Sequence, residues 1–306
     1  MSNKTQIVMH VMPNELEQCR QSLWSLWKAA EEFEDDYCND ELELYITLNL
    51  SGKVINWKES SIPQEQVIIN FNNILSYNPV QISIKSDIIL SNIDMGTTAQ
   101  KRNAIRQADK SIKNFIFLDP DIYFHWSTLK YIIDASKYIE NEYYIITPQT
   151  VKLWDETWDV ITNKKFIGEP YNFYKTFDSA KVVNQNITDV DLVEISTFKF
   201  GCGWFTLYSA NLWKFVDIPD ELGEYGSEDT FLMFACMIMK ERGYDVQQYM
   251  LDGLYISEDY KYRPQSYEGK IVRYTTKEQN YVKHNTPKFA ELINDFSKNL
   301  KINTEQ

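Results

Sequence analysis

The sequence predicts an α/β fold: a mostly parallel central sheet with helices on both faces. Short apolar runs, such as residues 5–11 and 115–118, alternate with stretches whose apolar residues recur at helical spacing. Strands that alternate with helices in this way build parallel sheets buried on both sides. In addition, the 306 residues contain no internal repeat, low-complexity tract or Pro/Gly/Ser linker, so a single domain is expected.

Taken in order, residues 5–11 read as a buried strand. Pro13-Asn14 then opens a helix carrying Leu16, Cys19, Leu23, Leu26, Trp27 and Ala30, with Asn14 as its expected cap and Glu15 and Glu17 suited to its dipole. Residues 42–49 alternate like a strand, and 80–89 contain another. Thr97 or Thr98 caps a helix through Ala108, and Phe115 to Leu118 form a short apolar strand. Ser127 caps a helix bearing Leu129, Ile132, Ile133 and Ile139, and residues 143–147 return as a strand. Residues 152–199 are irregular and aromatic and receive no assignment. A mostly apolar helix follows over 231–239, and a last one over 287–300. The domain, residues 1–306, divides into a first half (1–150), a second half (151–262) and a C-terminal extension (263–306). Ligands of such sheets sit at the carboxyl ends of the strands, so the loops after Val11, Asn49 and Leu118 are expected to converge.

Composition narrows the partners. Lys plus Arg total 31 against 44 Asp plus Glu, a net charge of −13. That charge argues against a nucleic-acid partner while leaving a local basic patch open. No stretch approaches the ~20 apolar residues of a membrane span, and the N-terminus lacks a signal-peptide core, so a cytoplasmic protein is expected. Cys19, Cys38, Cys202 and Cys236 have no metal-like or redox spacing, and Cys19, Cys202 and Cys236 are expected to be buried thiols. The sequons at Asn3, Asn49 and Asn186 carry no weight without secretion.

The chemistry centres on Asp119-Pro120-Asp121, directly after the apolar strand. Two carboxylates one residue apart at a strand end can face one cleft, and hard oxygen ligands of this kind suit Mg²⁺ or Mn²⁺ bridging to phosphate. Asp and Pro are equally at home in an ordinary turn. Upstream, Gly96-Thr97-Thr98-Ala99-Gln100-Lys101-Arg102-Asn103 reads either as a plain capped helix with an exposed basic pair or as a phosphate-approaching helix start. Two later signals follow. Phe200-Gly201-Cys202-Gly203-Trp204-Phe205 is a glycine-bearing segment where backbone can approach a ligand. Gly223-Glu224-Tyr225-Gly226-Ser227-Glu228-Asp229 opens the helix over 231–239.

In that order, these motifs resemble glycosyltransferases of the GT-A fold, the family 2-like and galactosyltransferase-like groups in particular. The resemblance runs from about Thr5 to His284 and leaves residues 152–199 without a matching motif. It implies a nucleotide-diphospho-sugar transferase with a metal, Mn²⁺ or Mg²⁺, held by Asp119, Asp121 and His284. It implies donor contacts from Pro13, Asn14, Asn49, Gly96, Arg102 and Asp119, with a UDP-sugar as the first candidate. Asp229 would be the catalytic base of an inverting reaction, although the motifs do not fix stereochemistry. Glu228, Gly203 and Trp204 would hold an acceptor hydroxyl of a glycan, a protein or a glycosylated small molecule. Trp154, Trp158, Trp204 and Tyr225 are candidates to stack on a sugar or base. Two other readings stand beside this one. A nucleotidyltransferase usually carries a glycine-rich basic loop after its first strand, whereas Val11-Met12-Pro13-Asn14 has neither glycine nor lysine. A non-catalytic carbohydrate-binding protein would have no need of Asp121, Glu228 and Asp229.

Overall fold

A computed structural model describes residues 4–32, 41–52, 55–90, 96–150, 180–196, 198, 205–223, 226–258, 272–273 and 276–301, with backbone alone for 150, 180, 258, 272–273 and 276–287. The chain begins with β1 (Lys4–Val11), a 3-10 turn (Pro13–Glu15) and α1 (Leu16–Glu31). It continues through β2 (Leu42–Asn49), β3 (Ile55–Asn56), α2 (Gln64–Ser76), β4 (Ser83–Ile89), α3 (Thr97–Gln107), β5 (Ile112–Leu118) and β6 (Ile122–Phe124). Next come α4 (Trp126–Ser136), β7 (Tyr143–Thr150), β8 (Asp191–Ile195) and β9 (Phe205–Ser209). Last are α5 (Glu228–Glu241), β10 (Val246–Glu258), β11 (Val272–Arg273) and α6 (Thr276–Asn299).

Nine strands form one sheet in the order β4-β2-β1-β5-β9-β7-β10-β6, with β8 also paired to β10, while β3 and β11 form a separate two-stranded ribbon. β4, β2, β1 and β5 are mutually parallel. β9 runs against both β5 and β7, so β7 and its parallel neighbour β10 return to the direction of the first four. β6 and β8 pair antiparallel with β10. Six strands therefore share one direction, as the mostly parallel expectation requires.

Alternation along β1 shows why both faces are covered. Ile7, Met9 and Val11 point into a core shared with Cys19, Leu23 and Leu26 of α1, Phe71 of α2 and Leu129 of α4. Val8 faces a second core made with Ala104 of α3, Phe115 and Phe117 of β5, Phe231, Leu232 and Cys236 of α5, with Phe289 and Phe296 of α6 packed against it. Burying a Leu- or Phe-sized side chain contributes roughly 1.5–3 kcal/mol, so strands apolar on both sides gain most when layered between helices.

Several boundaries differ from the expectations. Asn14 does not cap α1: it lies inside the 3-10 turn, which is closed by the Met12 N–H donating to Glu15 Oε2 at 2.9 Å. His125 rather than Ser127 caps α4, its Nδ1 accepting from the Ser127 N–H at 3.2 Å. The helix foreseen from Pro287 starts at Thr276, with Pro287 in its interior. α2 and β10 were not foreseen. β10 carries a bulge between Leu251 and Tyr255, where Gly253 has φ +93° and a Cβ would sit 2.3 Å from the Asp189 carbonyl oxygen. Cys19 and Cys236 are buried thiols, whereas Cys38 and Cys202 lie outside the described residues. Among the described residues, no helix is long and apolar enough to cross a membrane.

Candidate active site

The carboxyl ends of β1, β2, β4 and β5 lie along one edge of the sheet, as their parallel register demands. Asp119 and Asp121 occupy the turn from β5 into β6. α1 pins that turn through its buried face: Ser22 Oγ donates to the Pro120 carbonyl at 2.8 Å and lies 3.1 Å from the Ile122 carbonyl. Asp119 and Asp121 are each half-buried, and the turn that carries them is fixed through its backbone.

α3 crosses behind this edge. Gly96 is its N-cap, and the Gln100 side chain donates to the Met9 carbonyl of β1 at 2.6 Å. Two faces of α3 then reach in different directions. On one, Lys101 Nζ lies 2.9 Å from Glu228 Oε1 and 4.0 Å from Asp119 Oδ1, and Thr98 Oγ1 donates to Glu228 Oε2 at 2.9 Å. Thr98 Oγ1 also accepts the Gly226 N–H at 2.9 Å. On the other, Arg102 Nε donates to the Ile218 carbonyl at 2.9 Å, and one of its terminal nitrogens donates to Pro219 and Gly223 carbonyls at 2.7 and 2.9 Å. Arg106 pairs with Asp217 and Asp220 on the same segment.

These contacts give two of the expected ligand-binding residues protein partners. Arg102 was expected to reach a donor, but its guanidinium is committed to three backbone carbonyls of the approach to α5. Glu228 was expected to hold an acceptor, but both its oxygens are engaged by Lys101 and Thr98, and it is 6% exposed. The residue that the sequence reading passed over is Lys101, which had been grouped with Arg102 as an exposed basic pair and is 3% exposed. Adjacent residues on a helix point about 100° apart, so Lys101 and Arg102 could not have been expected to share a partner.

Glu228 and Asp229 open α5 directly after Gly226 and Ser227, whose φ values are +89° and +68°. Ser227 is a non-glycine residue in the left-handed region, so this turn is held there by its surroundings. Asp229 Oδ1 accepts its neighbour Thr230 N–H at 2.6 Å.

The electrostatics divide the four acids. Burial raises the Asp119 carboxyl to about 7; Lys101 opposes this, and Asp121, Glu228 and Asp229 add to it. Burial raises Asp229 to about 6, with Glu228 adding repulsion and Lys101 opposing. Glu228 lies below its ordinary range because Lys101 and Thr98 outweigh its burial. Burial would likewise lower the Lys101 ammonium, but Glu228, Asp119 and Asp229 hold it above its usual value. The mutual influence of Asp119, Asp121, Glu228, Asp229 and Lys101 places them at one locus.

Among the described residues, no group of three His, Cys, Asp or Glu side chains is placed to hold a metal. Asp119 and Asp121 offer hard oxygens only. Such a pair fits Mg²⁺ or Mn²⁺ completed by phosphate oxygens and water, and does not fit a closed nitrogen–sulfur site. His284 lies on α6 with its side chain outside the described set, and Gly203, Trp204, Tyr225, Trp154 and Trp158 lie outside the described residues altogether. Pro13 and Asn14 form the 3-10 turn after β1. Asn49 ends β2, its Oδ1 accepting the Ser51 N–H at 3.0 Å, so this oxygen builds the turn.

No protein-family profile and no curated protein sequence matches the chain. Similar solved structures include Staphylococcus aureus TarS residues 1–349, at 15% identity over 82% of this chain and 60% of that one, with a TM-score of 0.46. The same fragment in complex with UDP-GlcNAc matches at 14% identity over 84% and 59%, TM-score 0.46. A mycobacterial protein matches at 10% identity over 84% and 67%, TM-score 0.45. The chain thus spans about 60% of the TarS fragment, and a likeness this distant transfers no ligand and no residue role to it.

Proposed function

We propose that this chain is a metal-dependent glycosyltransferase of the GT-A type that moves a sugar from a nucleoside-diphosphate sugar, a UDP-sugar first among candidates, to an acceptor hydroxyl. The observation that carries the reading is a cluster of acids at the strand ends, where the buried Lys101 ammonium lies 2.9 Å from Glu228 and 4.0 Å from Asp119, and burial raises the Asp119 and Asp229 carboxyls. Perturbed acids gathered at the ligand-binding edge of an α/β sheet are what acid–base and phosphate chemistry requires.

In this reading Asp121, with Asp119, holds a divalent ion. When bound, that ion supplies positive charge opposite the departing diphosphate. The 3-10 turn at Pro13 and Asn14, the end of β2 and the Gly96 helix start face the nucleotide. Asp229 accepts the proton of the acceptor hydroxyl while that oxygen bonds to the anomeric carbon and the carbon–phosphate-oxygen bond breaks. Attack from the face opposite the leaving group inverts the anomeric centre.

The test is thermal stability with nucleoside diphosphates and nucleotide-sugars, each with and without Mn²⁺. A ligand at 100 times its Kd adds about 2.7 kcal/mol of stability, a readily visible shift. The expected result is a shift that needs both metal and one nucleoside diphosphate and is lost in Asp121→Asn. An equal shift from triphosphates alone, indifferent to Asp121, would favour a nucleotidyltransferase; no shift with any nucleotide would favour a carbohydrate-binding protein.

A further inference from the structure

α3 belongs to the first half of the chain, yet four of its side chains, Thr98, Lys101, Arg102 and Arg106, contact the segment that leads into and opens α5. Arg102 and Arg106 grip residues 217–223 by three carbonyls and two carboxylates. Five residues on, Thr98 and Lys101 take both oxygens of Glu228, and Thr98 also takes the Gly226 N–H. Between these grips the backbone passes through two consecutive positive φ values, at Gly226 and Ser227. A left-handed Ser227 costs on the order of 1–3 kcal/mol and persists only where neighbours over-determine it. Those neighbours are Thr98 and Lys101, and the next side chain after Glu228 is Asp229.

We propose that Thr98 and Lys101 are positioning residues that lock the Gly226-Ser227 turn and thereby aim the Asp229 carboxylate. The inference rests on the glycosyltransferase reading above. Thr98 is the sharper member of the pair, because one hydroxyl serves both sides of the lock: it donates to the Glu228 carboxylate and accepts from the Gly226 amide. Glu228 in turn is a strut between α3 and α5, and Asp229 alone is left to meet the acceptor. A carboxylate displaced by about 1 Å can cost 10²-fold in rate, whereas a donor bound at the strand ends is indifferent to this turn.

The experiment compares Thr98→Val, which keeps shape and loses both hydrogen bonds, with Thr98→Ser, which keeps both. Each is measured for kcat, for KM of the nucleotide-sugar and for amide hydrogen exchange over residues 226–230. Thr98→Val is expected to lower kcat by about 10- to 100-fold with donor KM within about 2-fold, and to speed exchange at Gly226 and in the first turn of α5. Thr98→Ser is expected to restore both to near the parent protein. Parent-like kcat and exchange in Thr98→Val, in a protein whose turnover is abolished by Asp229→Asn, overturns the lock. A fall in kcat that Thr98→Ser fails to rescue also overturns it. Absence of sugar transfer by the parent protein is the failure of the functional reading instead, and the exchange measurement then still decides whether Thr98 holds the turn.

Discussion

The Asp119–Asp121 turn and the Glu228–Asp229 helix start each carry two acids at the same sheet edge, and they are built in opposite ways. The first is held by its backbone: Ser22 bonds to the Pro120 carbonyl, between the two acids. The second is held by a side chain: Glu228 is spent on Lys101 and Thr98, and only Asp229 remains. The lesson is that adjacent acids need not share a role. A single buried cation touching one of them sends one below its ordinary range and leaves the other, raised by burial, at about 6.

The largest break in this comparison is chemical. Asp229→Asn is expected to lower turnover by about 10²–10⁴-fold while sparing nucleotide-sugar binding, whereas Glu228→Gln should act chiefly through stability. Parent turnover is expected to fall as pH drops through about 6, where Asp229 takes up its proton. Initial rates across pH with both variants check this, and an Asp229→Asn protein with parent rates would remove the base.

The next effect is on folding. Lys101→Met leaves Glu228 buried beside no cation, which costs about 3–5 kcal/mol, and adding Glu228→Gln should recover much of that loss. Urea unfolding of the single and double variants measures it. A single-variant loss below about 1 kcal/mol would show that the pair is not the strut described.

The smallest effect carries an informative sign. The Asp119 carboxyl is raised in the fold, so its contribution to stability is fully present below its unfolded value near 3.8 and is lost as pH rises through about 7. With a chelator present, Asp119→Asn should therefore gain on the parent by about 2–3 kcal/mol as pH is raised from 5 to 8. Saturating Mn²⁺ with the nucleotide should reverse that gain. Melting curves at both pH values test this, and an Asn variant less stable at pH 8 would contradict the burial argument.

The fold was legible because strands buried on both sides must be apolar throughout, and residues 5–11 and 115–118 are. The Asp119 and Asp229 positions were legible too, since acids at a strand end and a helix start announce themselves by spacing. The different partners of Arg102 and Lys101 were not legible, because both sit in one basic triplet. Only their rotation about α3 separates a guanidinium that meets carbonyls from an ammonium that meets a carboxylate.

Local pattern alone determined the alternation of strands and helices, the two-faced core and the positions of the acids, because periodicity and burial act over a few residues. The tertiary structure decided the partners. Glu228 lies 127 positions from Lys101 and 130 from Thr98, and the charge an acid carries depends on which cation is brought within about 3 Å of it. No spacing along the chain encodes that distance; it exists only once α3 and α5 are packed against the same sheet.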